Sequence, residues 1–373
     1  MNPEEAALNL NKRIVEEVVA YFGINALSIG CDLDLFAYIS AAGNQGITPE
    51  ELAEVSNCNL RCIREWLECC AVNNYINLKE DGRFFLLPGY DTVLLNKESP
   101  LYQRPMLKFL PGVSSCYSKL VESFKTGSGV PYKDFGDACF QAIKENNVTI
   151  YSHNLIPVIM PSFPELHEKF QTQGGTICDV GCGAGELCLL FARCFEKVNV
   201  IGVDLDDRSI DKANLALTGE SDSVKRRVRF INNSFENIEE EEYSFDMITF
   251  FLALHDIPDP EKSLITCKRF LKPDIGRIAV LEVNVQDNIS DMCIEPGVRP
   301  PSLQTNATNV FGRLAYGLSV TLCLPCTMSQ PHNCAAGAAF SRPKIQVEAT
   351  KAGFQHVEFA CIVKGPFKVY RIY

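Results

Sequence analysis

The stretch Thr176 to Asp204, TICDVGCGAGELCLLFARCFEKVNVIGVD, constrains the fold more than any other part of the chain. A β-branched and apolar run, Thr176 to Val180, enters a glycine turn at Gly181-Cys-Gly183-Ala-Gly185. The spacing of Leu187, Leu190, Phe191 and Cys194 then predicts a helix with one apolar face. A second apolar strand, Val198 to Val203, closes on Asp204. This is a β-α-β unit with its glycines at the first turn and an acid at the end of the second strand. Such a unit is built to hold a ribose-bearing cofactor across the carboxyl ends of its strands.

The spacing narrows the cofactor. A dinucleotide fingerprint, G-x-G-x-x-G, needs its third glycine at 186, where this chain has Glu186, and here the pattern is D-x-G-x-G-x-G with Asp179 leading. Pyrophosphate needs a helix N-terminus free of nearby negative charge, so Asp179 and Glu186 argue against it. An ammonium-bearing cofactor without phosphate tolerates both. The motif resembles the first motif of the class I S-adenosylmethionine (SAM) methyltransferases. By that resemblance Gly181, Gly183 and Gly185 admit the methionine and ribose portions to the backbone, Asp179 lies near the ammonium, and Asp204 bonds the ribose hydroxyls.

With 373 residues the chain is long enough for two domains. Its start, MNPEEAALNLNKR, lacks the basic-then-apolar pattern of a signal peptide, and no apolar run approaches the length of a membrane span. Seventeen cysteines, scattered through apparent helices and strands, read as reduced core residues of a cytoplasmic protein.

Toward the N-terminus, residues 4 to 22 and Ala26 to Ala41 read as two amphipathic helices, the first striped with Leu8, Ile14, Val15, Val18, Val19 and Phe22. Thr48 caps the next helix, with Pro49 at its first position and Glu51 completing a capping box. A helix over Leu60 to Val72 and a hairpin over Tyr75 to Leu87 complete a winged helix. Winged helices often read DNA, but residues 1 to 110 hold nine basic and fifteen acidic side chains, and the net charge is −11. A groove reader needs the opposite excess, so no nucleic-acid partner is expected.

One or two helices over 99 to 125, the glycine-rich link Thr126 to Gly136 and two amphipathic segments (137 to 146 and 150 to 160) lead into the second domain. Tyr132, Phe135 and Tyr151 are candidates to close over the cofactor. Together GSGVPYKDFG, the motif at 179 to 185, LALHDIPDP and AYGLSVTLCLPCTMSQP resemble a bacterial-type subfamily of SAM-dependent methyltransferases with an N-terminal winged helix, similar in layout to plant-type O-methyltransferases. The resemblance implies an α/β protein: a Rossmann-like seven-stranded methyltransferase sheet behind a mostly helical winged-helix domain. The expected boundaries are a dimerisation-type winged helix over 1–98, a helical linker or lid over 99–170 and the methyltransferase domain over 171–373. It also implies a homodimer through the N-terminal domain and a small-molecule acceptor.

Where that family carries an acid against the adenine amine, this chain has Asn233-Ser234-Phe235, which puts Ser234 in the acid's place and offers Phe235 for stacking. Leu205, following Asp204, and Phe251, ending the fourth strand, join the cofactor set. Just past that strand stand His255 and Asp256, and Glu282 ends the fifth. A hydroxyl acceptor must lose a proton, and imidazole suits that step near neutral pH. In plant-type O-methyltransferases the matching histidine is the base and the acid ending the next strand orients it. His255 is accordingly the expected base, Glu282 its orienter and Asp256 an alternative. Cys323-Leu-Pro-Cys326, with His332 and Cys334 beyond, imitates a metal motif but lacks a second pair at zinc spacing. No metal is expected, and the segment reads instead as a substrate-pocket wall with Phe311, Tyr316 and Met328. Two other classes stay open: a SAM-binding regulator contacting DNA, and a methyltransferase acting on nitrogen, sulfur or arsenic.

Overall fold

The computed structural model describes residues 2–293, 307–331, 336–363 and 366–373. Two compact units divide the chain: residues 1–116 with 135–149, and residues 117–134 with 150–294 and 299–373.

In the first unit the N-terminal stretch is again two helices, but the break falls after Asp32 and not at 23–25: the first runs Pro3–Asp32 and the second Leu35–Ala41. Gly23 does not break the first. A Cβ there would lie 2.6 Å from the Tyr75 hydroxyl, so the glycine is a close-packing position. Two residues past the end of the first helix, Asp34 sits in the left-handed region (φ 55°) at the N-cap of the second. Arg104, seventy residues on, pairs with Asp34 and donates to the Cys31 carbonyl, satisfying the helix end. The expected stripe is present, but among the described residues it is uncovered: Leu8 is 67% and Phe22 66% exposed, and Val15, Val18 and Val19 are exposed with them. By length and apolar content this helix and Val310–Met328 are both long enough to cross a membrane, contrary to the reading from sequence. For the first helix the reason is that the run continues across Gly23.

The winged helix follows the sequence closely. Thr48 and Glu51 exchange both bonds of the capping box ahead of the helix Pro49–Ser56. The helix Leu60–Val72 buries Ile63, Trp66, Leu67 and Cys70. The wing is a short antiparallel pair, β1 (Asn77–Leu78) and β2 (Phe84–Phe85), tied back by Ile47 bridging Phe84. Trp66 donates to the Ala26 carbonyl at 2.8 Å and meets Phe36 edge-on.

The second unit is organised on seven strands: β3 (Gly175–Val180), β4 (Val198–Asp204), β5 (Val228–Asn232), β6 (Met247–Phe251), β7 (Arg277–Val283), β8 (Val357–Val363) and β9 (Phe367–Ile372). Their order is β5-β4-β3-β6-β7-β9-β8, parallel except that β9 runs antiparallel to both its neighbours. Alternate residues of each parallel strand face opposite ways. Ile177, Val200, Met247 and Ala279 enter one apolar layer, while Cys178, Ile201, Ile248 and Val280 enter the other. Burial on both faces explains the near-continuous apolar runs in the sequence. Below the sheet, buried Asp246 is held by Lys169, Lys272 and the Thr176 amide. Chain order reverses between β3 and β6, and the carboxyl ends there are where α/β sheets place ligands.

Two expectations from sequence differ in the approach to this sheet. Residues 136–154 form one helix, not two segments, followed by π-helical Leu155–Ile159, where Pro157 withholds an amide. Phe135 is buried in the first unit beside Gly112 and is not free to act as a lid.

Candidate active site

Two clusters meet at the carboxyl ends of β3, β4, β6 and β7. The first is the glycine turn. Gly181, Gly183 and Gly185 all have positive φ, which their neighbours in sequence could adopt only under strain. The Gly181 and Cys182 amides donate to the Val203 carbonyl at 2.8 and 3.1 Å, and the Gly183 amide donates to Asp204 Oδ2 at 2.9 Å. Asp204 Oδ1 accepts the Asp206 amide at 2.9 Å. Burial pushes the Asp204 carboxyl up, against the pull of these amides. A Cβ added at Gly183 would touch nothing within 4 Å, so the turn faces open space.

Beneath the turn Asp179 is buried. Its Oδ1 accepts Thr249 Oγ1 at 2.6 Å and its Oδ2 accepts the Cys188 thiol at 3.6 Å. Thr249 stands directly opposite Asp179 in the β3–β6 register. Burial, with smaller contributions from Asp204 and Glu186, raises the Asp179 carboxyl to about 7 despite these two donors. Among the described residues it is a buried acid with no cationic partner, beneath a turn that faces open space. That arrangement fits an ammonium-bearing ligand with ribose hydroxyls.

The second cluster follows β6. Leu254–Asp256 is a single 3-10 turn, and Ala253 packs on Gly181: a Cβ on that glycine would lie 2.7 Å from the alanine's. The His255 loop thus leans directly on the glycine turn. His255 is 3% and Glu282 0% exposed. His255 Nδ1 lies 2.6 Å from Glu282 Oε2, and its backbone amide donates to Oε1 at 3.3 Å. On the far edge of the ring, Nε2 lies 3.5 Å from Asp256 Oδ2. Burial opposes a charge on the ring, but Asp256 and Glu282 outweigh it and lift its basicity well above that of free imidazole.

The structure therefore brings His255, Asp256 and Glu282 together, and Asp179, the glycines and Asp204 together. Leu205 is exposed at the end of β4, and Phe251 lies at the end of β6 with its ring 5.8 Å from that of Tyr151, whose hydroxyl donates to the Phe251 carbonyl at 3.3 Å. Ser234 is half-buried after β5. Phe235 is a correction. Its ring is buried in the core against Phe250 and Phe270, at 6.2 and 5.9 Å, and is not available to stack on a ligand. Sequence reasoning missed Thr249 and Cys188, the partners of Asp179; the strand order identifies the first, since β6 must lie beside β3. It also missed the approach of Cys323 to His255 and Asp256, with Thr327 donating to the Cys323 carbonyl and to Asp256. His332 and Cys334 lie outside the described residues.

Comparison with known proteins places these observations. The family described as "Methyltransferase domain" matches residues 171–311, and that described as "Rv2258c-like winged HTH domain" matches residues 23–97. A demethylmenaquinone methyltransferase of Lactobacillus johnsonii is 27% identical over 123 residues, 32% of this chain and 49% of that protein. A ubiquinone biosynthesis O-methyltransferase of Hahella chejuensis is 32% identical over 108 residues, 29% of this chain and 43% of that protein. The chain thus spans less than half the length of these curated relatives. The structure of human N-acetylserotonin methyltransferase in complex with SAM superposes with a TM-score of 0.69 at 16% identity, covering 97% of each chain. At that identity the likeness is one of fold.

Proposed function

From a chain that joins a winged helix-turn-helix domain to a methyltransferase domain, we propose a SAM-dependent methyltransferase that acts on a hydroxyl of a small molecule, with His255 as general base. The observation that carries this reading is the contact of the two clusters: the His255 loop packs, through Ala253, on the first glycine of the cofactor turn. Bound at that turn, SAM supplies an electrophilic methyl carbon. Asp179 would hold its ammonium and Asp204 its ribose hydroxyls, with Leu205 and Phe251 flanking the site. His255, in its neutral form, takes the acceptor's proton at Nε2, and Glu282, holding the Nδ1 proton, fixes the tautomer and steadies the charge that forms. Holding acceptor and methyl carbon in line supplies much of the remaining rate.

Calorimetric titration of SAM tests the cofactor half, and pH sharpens it. A free Asp179 with its carboxyl near 7 is protonated below that value, whereas pairing with an ammonium requires the carboxylate. Affinity is therefore expected to be level above that pH and to fall by up to about tenfold per unit below it, with a proton released on binding. Buffers of different ionisation enthalpy read that proton. Tight binding that ignores pH would remove Asp179 from the ammonium site, and no binding at all would end the reading.

The uncovered stripe of Pro3–Asp32 supports assembly as a homodimer, because exposed apolar faces of this extent mark interaction surfaces. Light scattering of the full chain is expected to give twice the monomer mass, and Val18→Asp with Phe22→Asp to give the monomer. A monomeric wild type would dismiss the dimer. On the helix Leu60–Val72, Arg61 pairs with Glu65 and Arg64 with Glu50, which supports a packing role over a DNA-reading one.

A further inference from the structure

Cys323 ends a π-helical stretch, Ser319–Cys323, ahead of Pro325. That irregular turn sets its sulfur against the His255 loop. A ring nitrogen of His255, an Asp256 carboxylate oxygen and Cys323 Sγ all lie within 4.8 Å of one another, and Nε2, the nitrogen not held by Glu282, lies 3.5 Å from Asp256 Oδ2. Tetrahedral zinc, with ligands about 2.0–2.3 Å from the ion, spaces those ligands roughly 3.3–3.8 Å apart. One edge of the triangle is already within that range, and the others close with a shift of about 1 Å at most. A thiolate, an imidazole and one carboxylate form a borderline-soft set that selects zinc over magnesium or calcium.

The surroundings fit as well. Metal-bound histidines usually give their second ring N–H to a carboxylate, and here Nδ1 is held by Glu282 at 2.6 Å. His255 and Cys323 are buried, while Asp256 is partly exposed and offers an entry path. Among the described residues three ligands converge, one fewer than a tetrahedral ion takes.

We infer that His255, Asp256 and Cys323 form a zinc site, and that an ion there switches methyl transfer off by occupying the lone pair on which the base step depends. Bonds form from the metal to Nε2, to a carboxylate oxygen and to sulfur. The thiol proton, and the Nε2 proton of the charged ring, leave to solvent, and nothing is oxidised or reduced. The inhibitory half rests on the reading of His255 as base; the site itself does not.

The test uses the metal-free full-length chain, without cofactor or acceptor. Added Co2+ is expected to give a thiolate-to-cobalt charge-transfer band that saturates at one ion per chain and is displaced by Zn2+. Cys323→Ala abolishes the band, and Cys326→Ala on the same turn retains it. Glu282→Gln, which keeps the shape of the site, weakens the metal by ~10–100-fold. No band in the wild type, or an undiminished band in Cys323→Ala, overturns the site. In the turnover assay saturating Zn2+ is expected to cost ~10²–10⁴-fold, the full share of a general base, and a chelator to restore the rate. A cobalt band combined with zinc-insensitive turnover overturns the switch and the base assignment while leaving the site standing.

Discussion

Replacing His255 with alanine lowers kcat by ~10²–10⁴-fold, the usual contribution of a positioned general base, while SAM affinity stays at the wild-type value. The split is the diagnostic part, because His255 lies on the 3-10 turn after β6 and the ribose and ammonium groups are assigned to other side chains. The substitution also leaves the Glu282 carboxyl, which is fully buried, without its Nδ1 partner. An unpaired buried polar group costs about 1–3 kcal/mol, so a fall in Tm accompanies the lost rate. Glu282→Gln separates the two effects. It keeps volume and hydrogen-bonding capacity but no longer stabilises a charged ring, so a positioning role predicts a loss of kcat smaller than that of the alanine variant. Turnover by His255→Ala within about tenfold of wild type would favour a nitrogen or sulfur acceptor, which needs little help from a base.

What the sequence made legible was whatever local chemistry decides. The glycine turn, the Thr48–Glu51 capping box and the paired apolar layers of the sheet each follow from residues a few positions apart, and each stands where its pattern put it. The failures share a cause. Gly23 is a packing position inside the N-terminal helix because Tyr75 needs the space, and the helix end is held by Arg104, which reaches the Cys31 carbonyl and Asp34. Both partners are distant in sequence. Phe235 turned out to be core because Phe250 and Phe270 are there to receive it. In the same way Cys323-Leu-Pro-Cys326 looked inert as a metal motif because its prospective co-ligands lie in a loop some seventy residues earlier. Spacing rules detect ligands that share a turn, and they are blind to a site assembled by the sheet.

Asp204→Ala is expected to weaken SAM by roughly 3–4 kcal/mol, a few hundredfold in Kd, as two charge-assisted bonds to ribose hydroxyls are lost. The carboxylate has a second task that the experiment must separate from the first. It accepts the amides of Gly183 and Asp206 and so holds the turn to the end of β4. Asp204→Asn keeps one carbonyl acceptor for those amides and loses the charge, so its affinity falls between wild type and alanine if both tasks matter. A SAM analogue lacking the ribose hydroxyls decides the matter. If Asp204 acts on those hydroxyls, removing them and removing the carboxylate cost the same free energy, and the combined loss is far less than the sum. Additive losses, together with a lowered Tm for the ligand-free variant, would make Asp204 a brace of the glycine turn and leave the ribose to other groups.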